Sequence, residues 1–169
     1  MLRTARAAAL GVALILAASS GAQPLPRALV ADRLVVRKHE RSLEVWWHGA
    51  QLKTYRVALG GEPAGPKQAR GDQRTPEGVY SVVKRRQNSL FHDALELSYP
   101  NADDRARAKA AGVAPGSGIE IHGLREGFDW LGSAHVLFDW TDGCIAVTNT
   151  EIDELVRAAP VGTVVVILP

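Results

Sequence analysis

Trp140-Thr141-Asp142-Gly143-Cys144-Ile145-Ala146-Val147 is the stretch on which the reading of this chain turns. Cys144 is the only cysteine among 169 residues. The N-terminus gives that solitude a meaning. Arg3 and Arg6 are followed by an apolar run from Ala7 to Ala18 and then by Ser20-Gly21-Ala22. A short positive region, a short apolar region and small residues before a cut are the pattern of a secretory signal peptide over residues 1–22. The apolar run is too short to span a bilayer as a mature helix. Exported proteins usually pair their cysteines, so a lone thiol is either an intermolecular partner or a reactive group. Its place after a glycine in a polar-aromatic turn favours the reactive thiol.

Composition narrows the class. Of 20 Lys and Arg, two fall in residues 1–22 and no acid does, so the rest of the chain balances the 18 Asp and Glu. A neutral domain carries no nucleic-acid footprint. Residues 23–169 suffice for one domain with a real core. No later apolar stretch is long enough to cross a membrane, so no integral membrane segment is expected in the mature chain. If the cell is Gram-negative, export in this form means the periplasm.

Outward from Cys144, strand signals dominate. Gln23 to Ala31, with two prolines, reads as a short leader. Leu34–Lys38, Leu43–Trp47 and Leu52–Leu59 are rich in β-branched, aromatic and aliphatic residues. His48-Gly49 has the look of a hairpin tip. Gly60–Arg74 is a glycine- and proline-rich loop in which Asp72 and Arg74 form a fixing pair. Thr75-Pro76-Glu77-Gly78 is a structural turn before a strand over Val79–Val83. Further strands are expected over Leu95–Tyr99, Gly118–His122 and Thr163–Leu168. Asn101–Ala111 reads as a helix with Asn101 as N-cap and Gly112 closing it. Asn149–Ala158 is a second helix, preceded by a capping box at Thr148 and Glu151. Many strands with two short helices make a mostly β domain, sandwich or barrel-like, rather than a βαβ fold.

A thiol attacks as its thiolate, and a histidine normally takes the proton. Five histidines are available. His39 and His48 sit beside early strands and should lie at the surface. His92 follows Phe91 in a polar stretch. His135 reads as a solvated loop residue, with contact to substrate as the lesser alternative. His122 ends the apolar strand Ile119-Glu120-Ile121 and precedes Gly123, which fits a rigidly held base with room for close approach. Trp140 reads as a packing residue, and of Trp46 and Trp47 one should pack and one should be exposed. No metal-ligand cluster, phosphate-binding glycine loop or nicotinamide fingerprint is present, so no metal or other cofactor is expected.

The ordered set Gly71-Asp72-Gln73-Arg74-Thr75-Pro76-Glu77-Gly78, Ile121-His122-Gly123 and Gly143-Cys144-Ile145 resembles the L,D-transpeptidase catalytic domain, or YkuD domain, from about Asp32 to Pro169. Ser98-Tyr99-Pro100-Asn101-Ala102 is similar to the subgroup of YafK-like murein enzymes. The resemblance implies a YkuD-type β-sandwich with a few short helices. It implies an exported enzyme acting on peptidoglycan stem peptides, with Cys144 as acyl-accepting nucleophile and His122 as base. Gly143 and Cys144 then supply oxyanion N–H groups, with Asp142 and Gly123 beside them, and Tyr99 and Arg125 become candidate substrate-binding residues. Two departures stand out. Many members have Ser-His-Gly-Cys where this chain has Thr141-Asp142-Gly143-Cys144. Many have Arg or Asn where it has Ala146, so a polar substrate contact is either missing or supplied from elsewhere, with Arg125 and Asn149 as the candidates. L,D-carboxypeptidase or amidase chemistry at the same Cys/His pair, and a catalytically inactive wall-binding module, are the alternatives.

Overall fold

The computed structural model describes residues 23–169, except for the side chain of residue 88; the expected signal peptide lies outside the described residues. A meander opens the domain: β1 (Arg33–Arg37), β2 (Ser42–Trp47) and β3 (Ala50–Arg56), each antiparallel to the next. His48 and Gly49 join β2 to β3 with φ of 48° and 78°. Two positive φ values in a two-residue loop match the right-handed twist of the flanking strands. β4 (Gly78–Ser89) and β5 (His92–Leu97) form a longer hairpin. After α1 (Ala102–Ala110) come the short strands β6 (Glu120–His122) and β7 (Ile145–Ala146), then α2 (Asn149–Ala158) and β8 (Val164–Leu168). Between β6 and β7 lies a 3-10 segment, Asp129–Leu137, broken at Gly132.

The strands form one eight-stranded sheet in the order β3-β2-β1-β8-β4-β5-β6-β7. The last strand enters the middle, parallel to β1 and antiparallel to β4. β4 pairs with β8 through Gly78–Ser81 and with β5 from Val82 onward, so it carries the chain from one half of the sheet to the other. The edges then meet. Ala58, just past β3, exchanges both backbone hydrogen bonds with Ala146 of β7, at 3.0 and 2.9 Å. Closing the edges satisfies backbone groups that would otherwise be open to pairing with another chain. The mostly β fold expected from the sequence is observed, with three short helical segments where two were foreseen.

Both halves feed one core, in which Leu34, Val36, Leu43, Val45 and Tyr55 join Leu95, Leu97, Ile121 and Ile145. α2 buries Ile152, Leu155 and Val156 in it, the 3–4 spacing of an amphipathic helix. Thr148 and Glu151 form the expected capping box, and Asn101 and Asp104 form another on α1. The 23–31 leader is part of this packing: Leu25, Leu29 and Ala31 are buried, and the Ala31 N–H donates to Ala158 O at 2.8 Å. The buried Lys38 ammonium donates to Thr75 O at 2.9 Å and to Glu77 Oε1 at 2.7 Å, which gives the Thr75–Gly78 turn its structural part.

Candidate active site

β6 and β7 run parallel, with Ile121 opposite Ile145 and His122 opposite Ala146. That register sets Cys144 beside Glu120. Side chains two apart on a strand share a face, so Glu120 and His122 look the same way, toward the thiol. A separation of 22 residues is closed by two rungs of a ladder. Both residues line a cleft of about 520 Å³, with Phe91, Leu124, Phe128, Leu131, Phe138 and Trp140 supplying its apolar walls.

The Cys144 loop is tightly fixed. Thr141 is buried; its hydroxyl donates to Cys144 O at 2.8 Å and accepts from the Gly143 N–H at 3.1 Å. Asp139 anchors the approach by accepting from Leu59 N at 2.9 Å and from Arg41 Nη2 at 2.8 Å. Gly143 has φ 120°, and a Cβ there would stand 2.5 Å from Arg74 O, so only glycine lets these two backbones run together. The Gly143 N–H is therefore engaged with Thr141 rather than open to the cleft, unlike the expectation for an oxyanion donor. The Cys144 N–H has no partner among the described residues.

His122 is buried, with its ring 4.5 Å from that of Phe91 and 5.8 Å from that of Trp140. Its Nδ1 lies 2.7 Å from Gly123 O. A carbonyl only accepts, so Nδ1 carries the proton and Nε2 keeps the lone pair in the neutral ring. Gly123 is needed for packing against α2: a Cβ would meet Asn149 Oδ1 at 2.7 Å and Ile152 Cγ2 at 3.0 Å. Asn149 accepts from Leu124 N at 2.8 Å and so holds the segment behind His122. It does not line the cleft.

Burial dominates the electrostatics. It pushes the imidazole of His122 down to about 4, with the Gly123 bond opposing and His135 assisting. Burial also pushes the half-buried Cys144 thiol up to about 11. The Glu120 backbone N–H and Lys67 pull the other way, while the Glu120 and Asp142 carboxylates add to the rise. The resting pair is thus neutral thiol and neutral imidazole. The thiol donates to Gly118 O at 3.7 Å.

The sequence-derived candidates fare differently. Cys144, His122, Asp142 and Arg125 all line the cleft, the last two exposed. Asp142 meets neither His122 nor an arginine in a hydrogen bond or ion pair among the described residues. Tyr99 is elsewhere. It is buried, it packs against Tyr80 with ring centres 6.0 Å apart, and its hydroxyl donates to Pro115 O at 2.7 Å. It steadies the loop that leads to Gly118. Asp72 pairs with Lys67 Nζ at 2.7 Å and accepts from three backbone N–H groups, Arg74 contributing only its amide. Burial opposes ionisation of Asp72; Lys67 and those N–H groups outweigh it and hold the carboxyl down at about 2. His39 and His48 are exposed as expected, and His92 is exposed and pairs with Asp153 at 2.8 Å. His135 is not solvated: it is buried and lines the cleft. Trp47 is exposed and Trp46 is half-buried. Phe91, Phe128 and Phe138 were not singled out from sequence; three phenylalanines in the whole chain, all at this cleft, are the signal that could have found them.

The profile of the L,D-transpeptidase catalytic domain (YkuD) matches residues 31–167. YafK of Escherichia coli (strain K12), provisionally named an L,D-transpeptidase, is 33% identical over 124 residues, 70% of this chain and 43% of that protein. The chain thus spans less than half the length of that relative. The crystal structure of the helical cell shape determining protein Pgp2 from Campylobacter jejuni is similar with a TM-score of 0.61 and 21% identity, over 83% of this chain and 48% of that one. Bd1075 of Bdellovibrio bacteriovorus is similar with a TM-score of 0.59 and 24% identity, over 86% and 54%. Among the described residues no helix is long and apolar enough to cross a membrane. A profile match across nearly all of the described domain, on a fold shared with solved relatives, carries the conclusion: the chain belongs to the L,D-transpeptidase catalytic domain family.

Proposed function

We propose that this chain is an exported, periplasmic cysteine enzyme that acts on peptidoglycan stem peptides through a thioester. The observation that carries the proposal is the pairing of Cys144 and His122 in one aromatic cleft, with the Nδ1 proton of His122 held by Gly123 O. That bond leaves Nε2 as the lone-pair nitrogen for the thiol proton. As the proton moves to Nε2, Sγ attacks the carbonyl carbon of the third stem residue, a diamino acid. The tetrahedral oxyanion forms against the Cys144 N–H, and Gly143 can join only by loosening its bond to Thr141. Collapse breaks the amide bond to the terminal D-alanine, whose amine leaves with the proton returned from His122. The thioester then passes to an amine of a neighbouring stem, giving transpeptidation. No cofactor takes part in these steps.

Hydrolysis of the same thioester, giving an L,D-carboxypeptidase, is favoured by one observation. Ala146, where many relatives carry a polar side chain, is buried and bridged to Ala58, so it offers an acceptor no polar contact. Incubation with a purified stem tetrapeptide, followed by intact-protein and product masses, tests the proposal. The expected result is an acyl adduct on the wild type and none on Cys144→Ala, with loss of D-alanine. Cross-linked or trimmed product distinguishes the two fates of the thioester. Full turnover by Cys144→Ala would overturn the proposal.

A further inference from the structure

His135 stands out once the cleft's polar groups are accounted for. Thr141 is engaged with Cys144 and Gly143, and Glu120 with Arg86 at 2.9 Å. His122 Nδ1 is engaged with Gly123, while Arg125 and Asp142 face solvent. His135 is 1% exposed, and neither ring nitrogen meets a hydrogen-bond partner. A buried polar group without a partner costs stability, so such a group in a native fold calls for an explanation. Its neighbours in sequence, Leu131 and Phe138, line the same cleft. Its effect on the His122 imidazole puts it within electrostatic reach of the proposed base.

We infer that His135 is a substrate-binding residue whose imidazole hydrogen-bonds a main-chain amide of the peptide held in the cleft. Burial disfavours its charged form, with Glu151 opposing, so the ring rests neutral with one N–H donor and one acceptor nitrogen. A peptide group offers the complementary pair, a C=O and an N–H. An extended stem peptide passing Cys144 presents such groups along its length. The inference rests on the proposed reading that the cleft takes a peptide.

The test separates binding from folding. In a Cys144→Ala background, stem-tetrapeptide affinity is measured by calorimetry and free-protein melting by circular dichroism. His135→Leu is expected to keep or raise the melting temperature, because it removes an unpartnered polar group. It is also expected to weaken tetrapeptide binding about tenfold, as for loss of one or two hydrogen bonds. His135→Gln, which restores a donor and an acceptor, should recover most of that affinity. Unchanged affinity in His135→Leu overturns the inference and leaves the proposed function standing. So does lower melting of His135→Leu with no recovery of affinity in His135→Gln, which marks a structural residue. No tetrapeptide binding by the Cys144→Ala parent overturns the peptide reading of the cleft, and this inference with it.

Discussion

Reactivity of the thiol toward a small electrophile is the most direct consequence of a neutral resting pair. Burial holds Cys144 up at about 11 and His122 down at about 4. At pH 8, about one Cys144 in a thousand is then thiolate, against about a quarter for an ordinary thiol of pKa ~8.5. That is a deficit of roughly 200-fold in reactive species. The more basic thiolate is intrinsically more nucleophilic by about tenfold over this span, which leaves alkylation about 20-fold slower than for a free cysteine. Iodoacetamide labelling followed by intact mass across pH 6–11 gives the profile. The rate should rise about tenfold per pH unit until it bends near 11. His122→Ala should leave that bend in place, because a neutral imidazole contributes no charge to remove, although it should abolish turnover of peptide. A plateau below pH 8 that moves upward in His122→Ala would refute the argument, since only a thiolate–imidazolium pair behaves that way.

Asp142→Asn should lower the apparent pKa of the thiol, because the Asp142 carboxylate helps to raise it; the exposed position of Asp142 means the effect shrinks in high salt, and an unchanged alkylation profile would make it a turn residue only. His122, depressed from 6.5 to about 4 in the fold, contributes stability that is present above pH 6.5 and lost as pH falls through about 4. Chemical denaturation of His122→Phe should accordingly show about 3 kcal/mol less acid destabilisation than the wild type between pH 7 and 4; equal acid sensitivity would contradict the buried neutral ring. Glu154 is buried and accepts from Lys53 Nζ and Tyr55 Oη, both at 2.7 Å. Glu154→Ala should lower stability by about 3–5 kcal/mol by stranding the Lys53 ammonium, and adding Lys53→Met should restore a large part, read as thermal melting; no restoration would mean that the ion pair is not the cause.

The parts of the fold that follow local rules could be read from residues alone. Both helix starts rest on capping boxes within four residues, and the hairpin at His48-Gly49 on two residues with positive φ. What was missed depends on distant chain. β4 runs to Ser89 rather than Val83 because β5 begins at His92 and gives its polar half a partner. β7 is two residues long and exists only between β6 and Ala58. The 3-10 segment Asp129–Leu137 has no helical period and a break at Gly132, so nothing in it announced a helix. At the candidate site, Cys144 stands out as the single cysteine, whereas a spacing of 22 residues does not by itself select His122 among five histidines; the family resemblance does, and the fold brings the two to one cleft. Tyr99 was misplaced because its partners, Tyr80 of β4 and Pro115, are distant in sequence, and His135 because a segment without helical period gives no sign that it is buried at the cleft.

The proposed chemistry places a demand on the seam between the two edges of the sheet. Cys144 and His122 belong to different strands, and only the pairing of Ile121 with Ile145 and of His122 with Ala146 brings them level. A pairing slip of one residue would turn every side chain of a strand to the opposite face, and two rungs alone hold register weakly. The exchange of hydrogen bonds between Ala58 and Ala146 adds a second constraint to β7, and Asp139 adds a third by tying Leu59 and Arg41 to the segment before Thr141. All three act on the few residues around Cys144. Closure of the sheet and fixation of the thiol are therefore the same set of bonds. Ala146 sits within this seam, bonded to Ala58 on one side and level with His122 on the other, so a substitution there bears on the closure of the sheet and on the placement of the proposed base together.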